Sequence, residues 1–100
     1  MHFRDLGYFI SLAQTLDPMS AALGVGIAKP TLMTAVRRLE SEVGGPLFLK
    51  TPGGLRLTPM GRALLEHAPK LLWLRDQALR AVRQAGEPGR TDGIDVLPPV

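Results

Sequence analysis

One hundred residues, 45% of them hydrophobic, bound a single small globular domain, and 12 Lys and Arg against 9 Asp and Glu leave it mildly basic at +3. The absence of cysteine excludes disulfides and thiolate metal sites and fits a reducing compartment, by default the cytoplasm. No apolar run approaches the roughly 20 residues that cross a bilayer, and MHFRDLGYF shows no signal-peptide pattern because Asp5 interrupts it.

In chain order, the first predicted helix is Phe3 to Leu16, with Leu6, Phe9, Ile10, Ala13 and Leu16 on one side and Tyr8 and Leu12 on another. Two apolar sides need two covers, expected from a helical pair that follows and from a long helix later in the chain. Asp17 is a good N-cap and Pro18 suits the first helical position, so a short second helix is expected over Pro18 to Leu23. Gly24 and Gly26 then let the chain stop and turn, with Val25 and Ile27 as apolar plugs.

A third helix is predicted over Pro30 to Val43, where Leu32, Val36, Leu39 and Val43 share one side and Thr34, Arg37, Arg38 and Ser41 the other. Two hydroxyls and two arginines opposite the core suit phosphates and base edges in a DNA groove. Helix, glycine turn, helix is the helix-turn-helix plan, although an ordinary helical hairpin in a small bundle has the same local pattern. From Lys29 to Arg62 there are six basic residues and two acidic ones, so this third of the chain carries +4 while the rest is close to neutral.

Gly44, Gly45 and Pro46 end that helix. Leu47 to Lys50 and Leu55 to Thr58 are strand candidates around a turn at Thr51 to Gly54, forming a small wing with Lys50 and Arg56 near its two ends, placed to reach phosphates. The bland alternative is a solvated hairpin whose charges keep an edge strand soluble. Thr58 caps and Pro59 opens the longest helix, which at 1.5 Å per residue extends for roughly 40 Å to about Ala85. Leu65, Ala68, Leu72, Arg75, Leu79 and Val82 follow a three-four alternation, so a partner helix is expected along that seam, with Trp73 beside it as an anchor. Pro69 predicts a bend near Leu65. Gly86 to Gly89 stop the helix, Arg90 to Gly93 read as a hinge, and Ile94 to Leu97 as the first strand of a further domain.

Catalysis is not expected. The histidines are His2, near the terminus, and His67, on the long helix, with no cluster at metal-ligand spacing. Ser11, Ser20 and Ser41 lie in predicted helices without a histidine near in sequence. Neither a metal nor a cofactor is called for.

LGYFISLAQT, the pair Ala21 and Ala22, KPTLMTAVRRLESEVGGPLF and RLTPMGRALLEHA together resemble the N-terminal DNA-binding domain of LysR-type transcriptional regulators, with spacing kept over residues 3 to 85. The winged domain of molybdate-responsive regulators is similar, but L-T-x-x-G at Leu57 to Gly61 and L-E at Leu39 and Glu40 favour the LysR type. The resemblance implies a mainly α fold: a winged helix-turn-helix of three helices and a two-stranded wing over residues 1–58, then a linker and dimerisation helix over 59–85. Residues 86–100 would be a hinge and the start of an effector domain whose ligand site is missing from this chain. It further implies an operator on double-stranded DNA as partner and a homodimer through the linker helix, which could pair into a tetramer.

Carried over residue by residue, the DNA-binding positions are Lys29, Pro30, Thr31, Thr34, Arg37, Arg38, Lys50 and Arg56, and the dimer interface is Leu65, Ala68, Leu72, Trp73, Leu79 and Val82. The chain departs from the family pattern where glutamine is replaced by Lys29, serine by Met33, arginine by Thr34, the serine cap by Ala28, and a basic wing tip by Pro52, Gly53 and Gly54. Fewer donors on the groove side imply an altered operator, weaker binding, or both. The alternative is an interaction module of the same fold that dimerises and binds DNA weakly or not at all.

Overall fold

Capping chemistry and apolar spacing divide the chain into α1 (Phe3–Thr15), α2 (Pro18–Val25), α3 (Lys29–Val43), β1 (Phe48–Thr51), β2 (Gly54–Leu57) and α4 (Pro59–Ala85). This is a computed structural model, and it describes residues 1–87; the expected hinge at Arg90 to Gly93 and strand at Ile94 to Leu97 lie outside the described residues. The architecture is mainly α, with one antiparallel two-stranded wing between α3 and α4.

Asp17 caps α2 by accepting from the Met19 amide at 3.3 Å, and Pro18 occupies the first turn. The helix continues through Gly24 to Val25 and ends at Gly26, whose φ of 74° is the left-handed conformation that glycine adopts freely. Two apolar expectations change here. Leu16 leaves the stripe because it is the C-cap of α1, at φ 55°, and is exposed rather than packed. Val25 is likewise exposed, and Ile27 alone of the two plugs packs against the core.

The core sits where α1, α2, α3 and the entry to the wing converge. Leu6, Phe9 and Leu12 from α1 meet Ala21 and Ala22, Leu32, Val36 and Leu39, and Leu47, all buried. Phe9 and Phe48 tilt against each other with ring centroids 5.5 Å apart, pinning the start of β1 to α1. The small pair Ala21 and Ala22 lets α2 approach closely enough for the chain to bend by 102° into α3, within the range of about 90–120° typical of helix-turn-helix pairs.

Thr58 fixes the start of α4. Its Oγ1 accepts from the Gly61 amide at 2.9 Å and donates to the Pro46 carbonyl at 2.7 Å, so the cap also ties α4 to the chain entering the wing. Ala68 is 0% exposed, and Leu64, Leu65 and Leu72 pack partly against the same core. The packed unit therefore extends past residue 58 to about Leu72. Ala68, expected in the partner seam, is enclosed within its own protomer and has no surface to offer a second chain. α4 itself is one helix through Pro69.

Candidate nucleic-acid interface

The outward side of α3 begins with residues that leave its N-terminus open. Ala28, the N-cap, makes no side-chain cap bond, and the first turn holds Lys29, Pro30 and Thr31 with no acid. Unsatisfied backbone N–H groups and the positive end of the helix dipole make such a terminus receptive to an anion. Lys29 there opposes the dipole, which favours an external anion further. Lys29, Pro30, Thr31, Thr34 and Arg37 are all exposed. The Thr34 hydroxyl donates to the Pro30 carbonyl at 2.9 Å, so toward a ligand it offers a methyl group and acceptor lone pairs rather than a donor.

A cleft between α3 and the wing collects Lys29, Met33 and Arg37 with Lys50 and Leu55. Its carboxylate, Glu40, is turned to internal use and accepts from the Leu47 amide at 2.8 Å, holding the chain that leads into β1. Met33, where the resemblance expected a serine, is half-buried against the core, so it lines the floor of the cleft with thioether surface.

The wing places its two cations differently from expectation. Lys50 pairs with Leu55 and Leu49 with Arg56, so the charges sit at adjacent registers near the middle of the ribbon rather than at its two ends. Directly paired residues share a face and successive residues alternate, which puts Lys50 on the cleft side and Arg56 on the opposite one.

Arg38 is also placed differently. Its Nε donates to Asp5 Oδ2 at 3.1 Å and its Nη2 to Asp5 Oδ1 at 3.0 Å, a side-on bidentate pair. Asp5 is 1% exposed, and hydrogen bonding to the guanidinium holds its carboxyl below the usual value of 3.8 against the opposing effect of burial. Of the cations expected to meet DNA, Lys29, Arg37, Lys50 and Arg56 have no ion-pair partner among the described residues, whereas Arg38 has one. Asp5 was missed in the sequence. Its signal was an acid four residues before Phe9 on the buried stripe of α1, which demands a cationic partner.

On α4, Leu65 and Leu72 face the protomer's own core, while Trp73 is 62% and Val82 70% exposed, and Leu79 is exposed as well. Pro69, Lys70, Trp73 and Leu74 outline a shallow apolar groove on this outer part. No single described helix is long and apolar enough to cross a membrane.

The family model described as "Bacterial regulatory helix-turn-helix protein, lysR family" matches residues 3–62. The transcriptional regulator BudR of Klebsiella aerogenes is 42% identical over 83 residues, covering 83% of this chain and 58% of that protein. The small neutral protease regulatory protein of Streptomyces coelicolor is 36% identical over 89 residues, covering 89% of this chain and 27% of that protein. The chain thus spans between about a quarter and three fifths of the length of these relatives. Among solved structures, the CbnR DNA-binding domain in complex with DNA superposes with a TM-score of 0.81 at 31% identity, over 87% of this chain and all of that one. The BenM DNA-binding domain on catB site 1 DNA gives 0.78 at 29% identity, over 87% of this chain and 98% of that one. With four helices and a wing in the same arrangement, and a family match over more than half its length, this chain belongs to the LysR family of bacterial regulatory helix-turn-helix proteins.

Proposed function

We propose that the chain binds operator sites on double-stranded DNA as a dimer, the DNA-reading part of a transcriptional regulator. The observation that carries this reading is the set of unpaired cations, Lys29, Arg37 and Lys50, gathered around one cleft beside an uncapped helix N-terminus. In this reading α3 enters the major groove. Pro30 and the Thr34 methyl meet thymine methyls, and Thr31 and Lys29 reach base edges or phosphate. Lys50 meets the phosphates flanking that groove, and Arg56, from the far face of the wing, a neighbouring strand. The CbnR and BenM domains, which are among the relatives solved with DNA, support it by their close superposition. The outer part of α4, with Trp73, Leu79 and Val82 uncovered, supplies the contact between protomers, so the dimer seam lies beyond Leu72.

Selection of bound duplexes from a random pool, followed by a salt titration on the recovered site, tests the proposal. A two-fold site with half-sites about one helical turn apart is expected, with log affinity falling steeply against log salt, at about −0.9 per neutralised phosphate. Weak, shallow binding to every duplex alike would refute it and favour an interaction module, toward which Met33 and the internally bonded Thr34 point by removing donors from the groove.

A further inference from the structure

Arg38 stands one residue from Arg37 on the polar side of α3, yet the two side chains have different fates. Arg37 opens onto the cleft beside Lys29. Arg38 reaches across to the first turn of α1 and spends one whole edge of its guanidinium, Nε and Nη2, on both oxygens of Asp5. Asp5 is buried, so without Arg38 it would be an unpaired charge inside the fold. The bidentate geometry fixes direction as well as distance, because a planar fork meets a planar carboxylate only within a narrow range of orientations. It ties the first turn of α1 to the middle of α3. Charge cancellation has a second effect: the pair adds no net attraction for phosphate.

We propose that Arg38 is a positioning residue, whose side-on pairing with Asp5 sets the rotation of α3 against α1 and thereby the direction in which Lys29, Thr34 and Arg37 face DNA, while Arg38 itself contacts neither phosphate nor base. This rests on the DNA-binding reading and assigns within it a role that adjacency to Arg37 conceals. Two consequences separate a strut from a contact. Removing a phosphate contact lowers the salt dependence of binding, whereas loosening a strut weakens binding without changing how many counterions are released. In addition, Asp5 is buried and has no surface to present to DNA, so its loss should weaken binding as the loss of Arg38 does only if the pair acts as one unit.

The experiment compares Arg38→Gln, Asp5→Asn and the double variant with Arg37→Gln, using a mixed-sequence duplex of about 30 bp, long enough for two half-sites one turn apart, across a range of salt. Arg38→Gln and Asp5→Asn are both expected to weaken binding, Arg38→Gln the more because it strands a buried carboxylate, with the double variant no worse than Arg38→Gln. Both should keep the salt slope of the unaltered chain, whereas Arg37→Gln takes about 0.9 off it. An Arg38→Gln slope reduced by the same amount, or an Asp5→Asn variant with unchanged affinity, overturns the proposal. Thermal unfolding provides a reading free of DNA: the two single variants should each lower Tm and be strongly non-additive, and unchanged Tm in both would also overturn it. If the unaltered chain binds no duplex at any salt, the DNA-binding reading fails separately, and the melting cycle still decides whether the pair fixes the helices.

Discussion

Lys50 and Arg56 lie on opposite faces of the same wing, because Lys50 is paired with Leu55 and Arg56 with Leu49. Only Lys50 shares the cleft with Lys29 and Arg37. Lys50→Gln is therefore expected to weaken duplex binding several-fold and to reduce the salt slope by about 0.9, the release of one phosphate contact. Arg56→Gln should cost less, since the side chain lies away from the helix proposed to enter the groove. Titration of both variants against one duplex checks the order, and an Arg56 effect larger than that of Lys50 would reverse the assignment of faces.

That difference shows where the sequence stopped being informative. Alternation within a strand was legible, but the ends of the ribbon were not: the turn expected over Thr51 to Gly54 closes tighter, with Thr51 opposite Gly54, so Lys50 and Arg56 lie near its middle. Helical periodicity likewise grouped Arg37 with Arg38, because both fall on the polar side of α3. Separating them required knowing that α1 brings Asp5 alongside, a contact 33 residues distant in sequence. Local signals did better. Asp17 and Thr58 were recognisable as caps, and each makes its cap bond, because an N-cap depends on neighbours within three residues. Leu16 misled for the opposite reason: its spacing was right, but the helix ended one residue earlier.

Gly61 offers a sharp test of packing. In the first turn of a helix, Gly→Ala ordinarily gains up to about 1 kcal/mol. Here a Cβ would clash with the Leu47 carbonyl oxygen and stand 2.8 Å from Leu57 Cδ2, and the former is backbone that cannot turn away. Overpacking of this kind costs about 1–3 kcal/mol, which outweighs the propensity gain. Gly61→Ala should lower Tm; a rise on thermal unfolding would mean that α4 sits farther from the wing than described.

Ala28 invites the reverse experiment. It occupies the N-cap of α3 in extended backbone, at φ −72° and ψ 145°, with no side-chain oxygen to accept from the helix amides. Ala28→Ser should stabilise the fold by about 1 kcal/mol, raising Tm by roughly 4–8 °C for a domain of this size. Scanning calorimetry gives the answer directly, and a Tm unchanged or lower would show that those amides are already satisfied.

The Asp5–Arg38 pair predicts a dependence on acid. Because the Asp5 carboxyl is held below 3.8 in the folded chain, its ionised form contributes stability at every pH above that value, and the contribution disappears as pH falls through the folded value. Asp5→Asn removes the titrating group. The Tm difference between the unaltered chain and Asp5→Asn should be widest above about pH 5 and shrink toward pH 3. Asp17, also lowered, through its bond from Ser20, is common to both chains and cancels. A difference constant across that range would show that the pair is not ionic.

The proposed contact between two copies of the chain is best probed beyond Leu72. Leu72→Glu would confuse two effects, since Leu72 packs partly on the protomer's own core and a buried charge there unfolds as well as dissociates. Trp73 and Leu74 are free of this ambiguity, being exposed in the protomer and beside the apolar groove with Pro69. Trp73→Glu should leave the fold of a single chain intact, by circular dichroism and near-unchanged Tm at low concentration. If Trp73 lies buried between two α4 helices, losing that anchor and desolvating a carboxylate should shift the dimer to monomer at micromolar concentration in sedimentation velocity. A variant that sediments as the unaltered dimer would move the seam to a different face of α4.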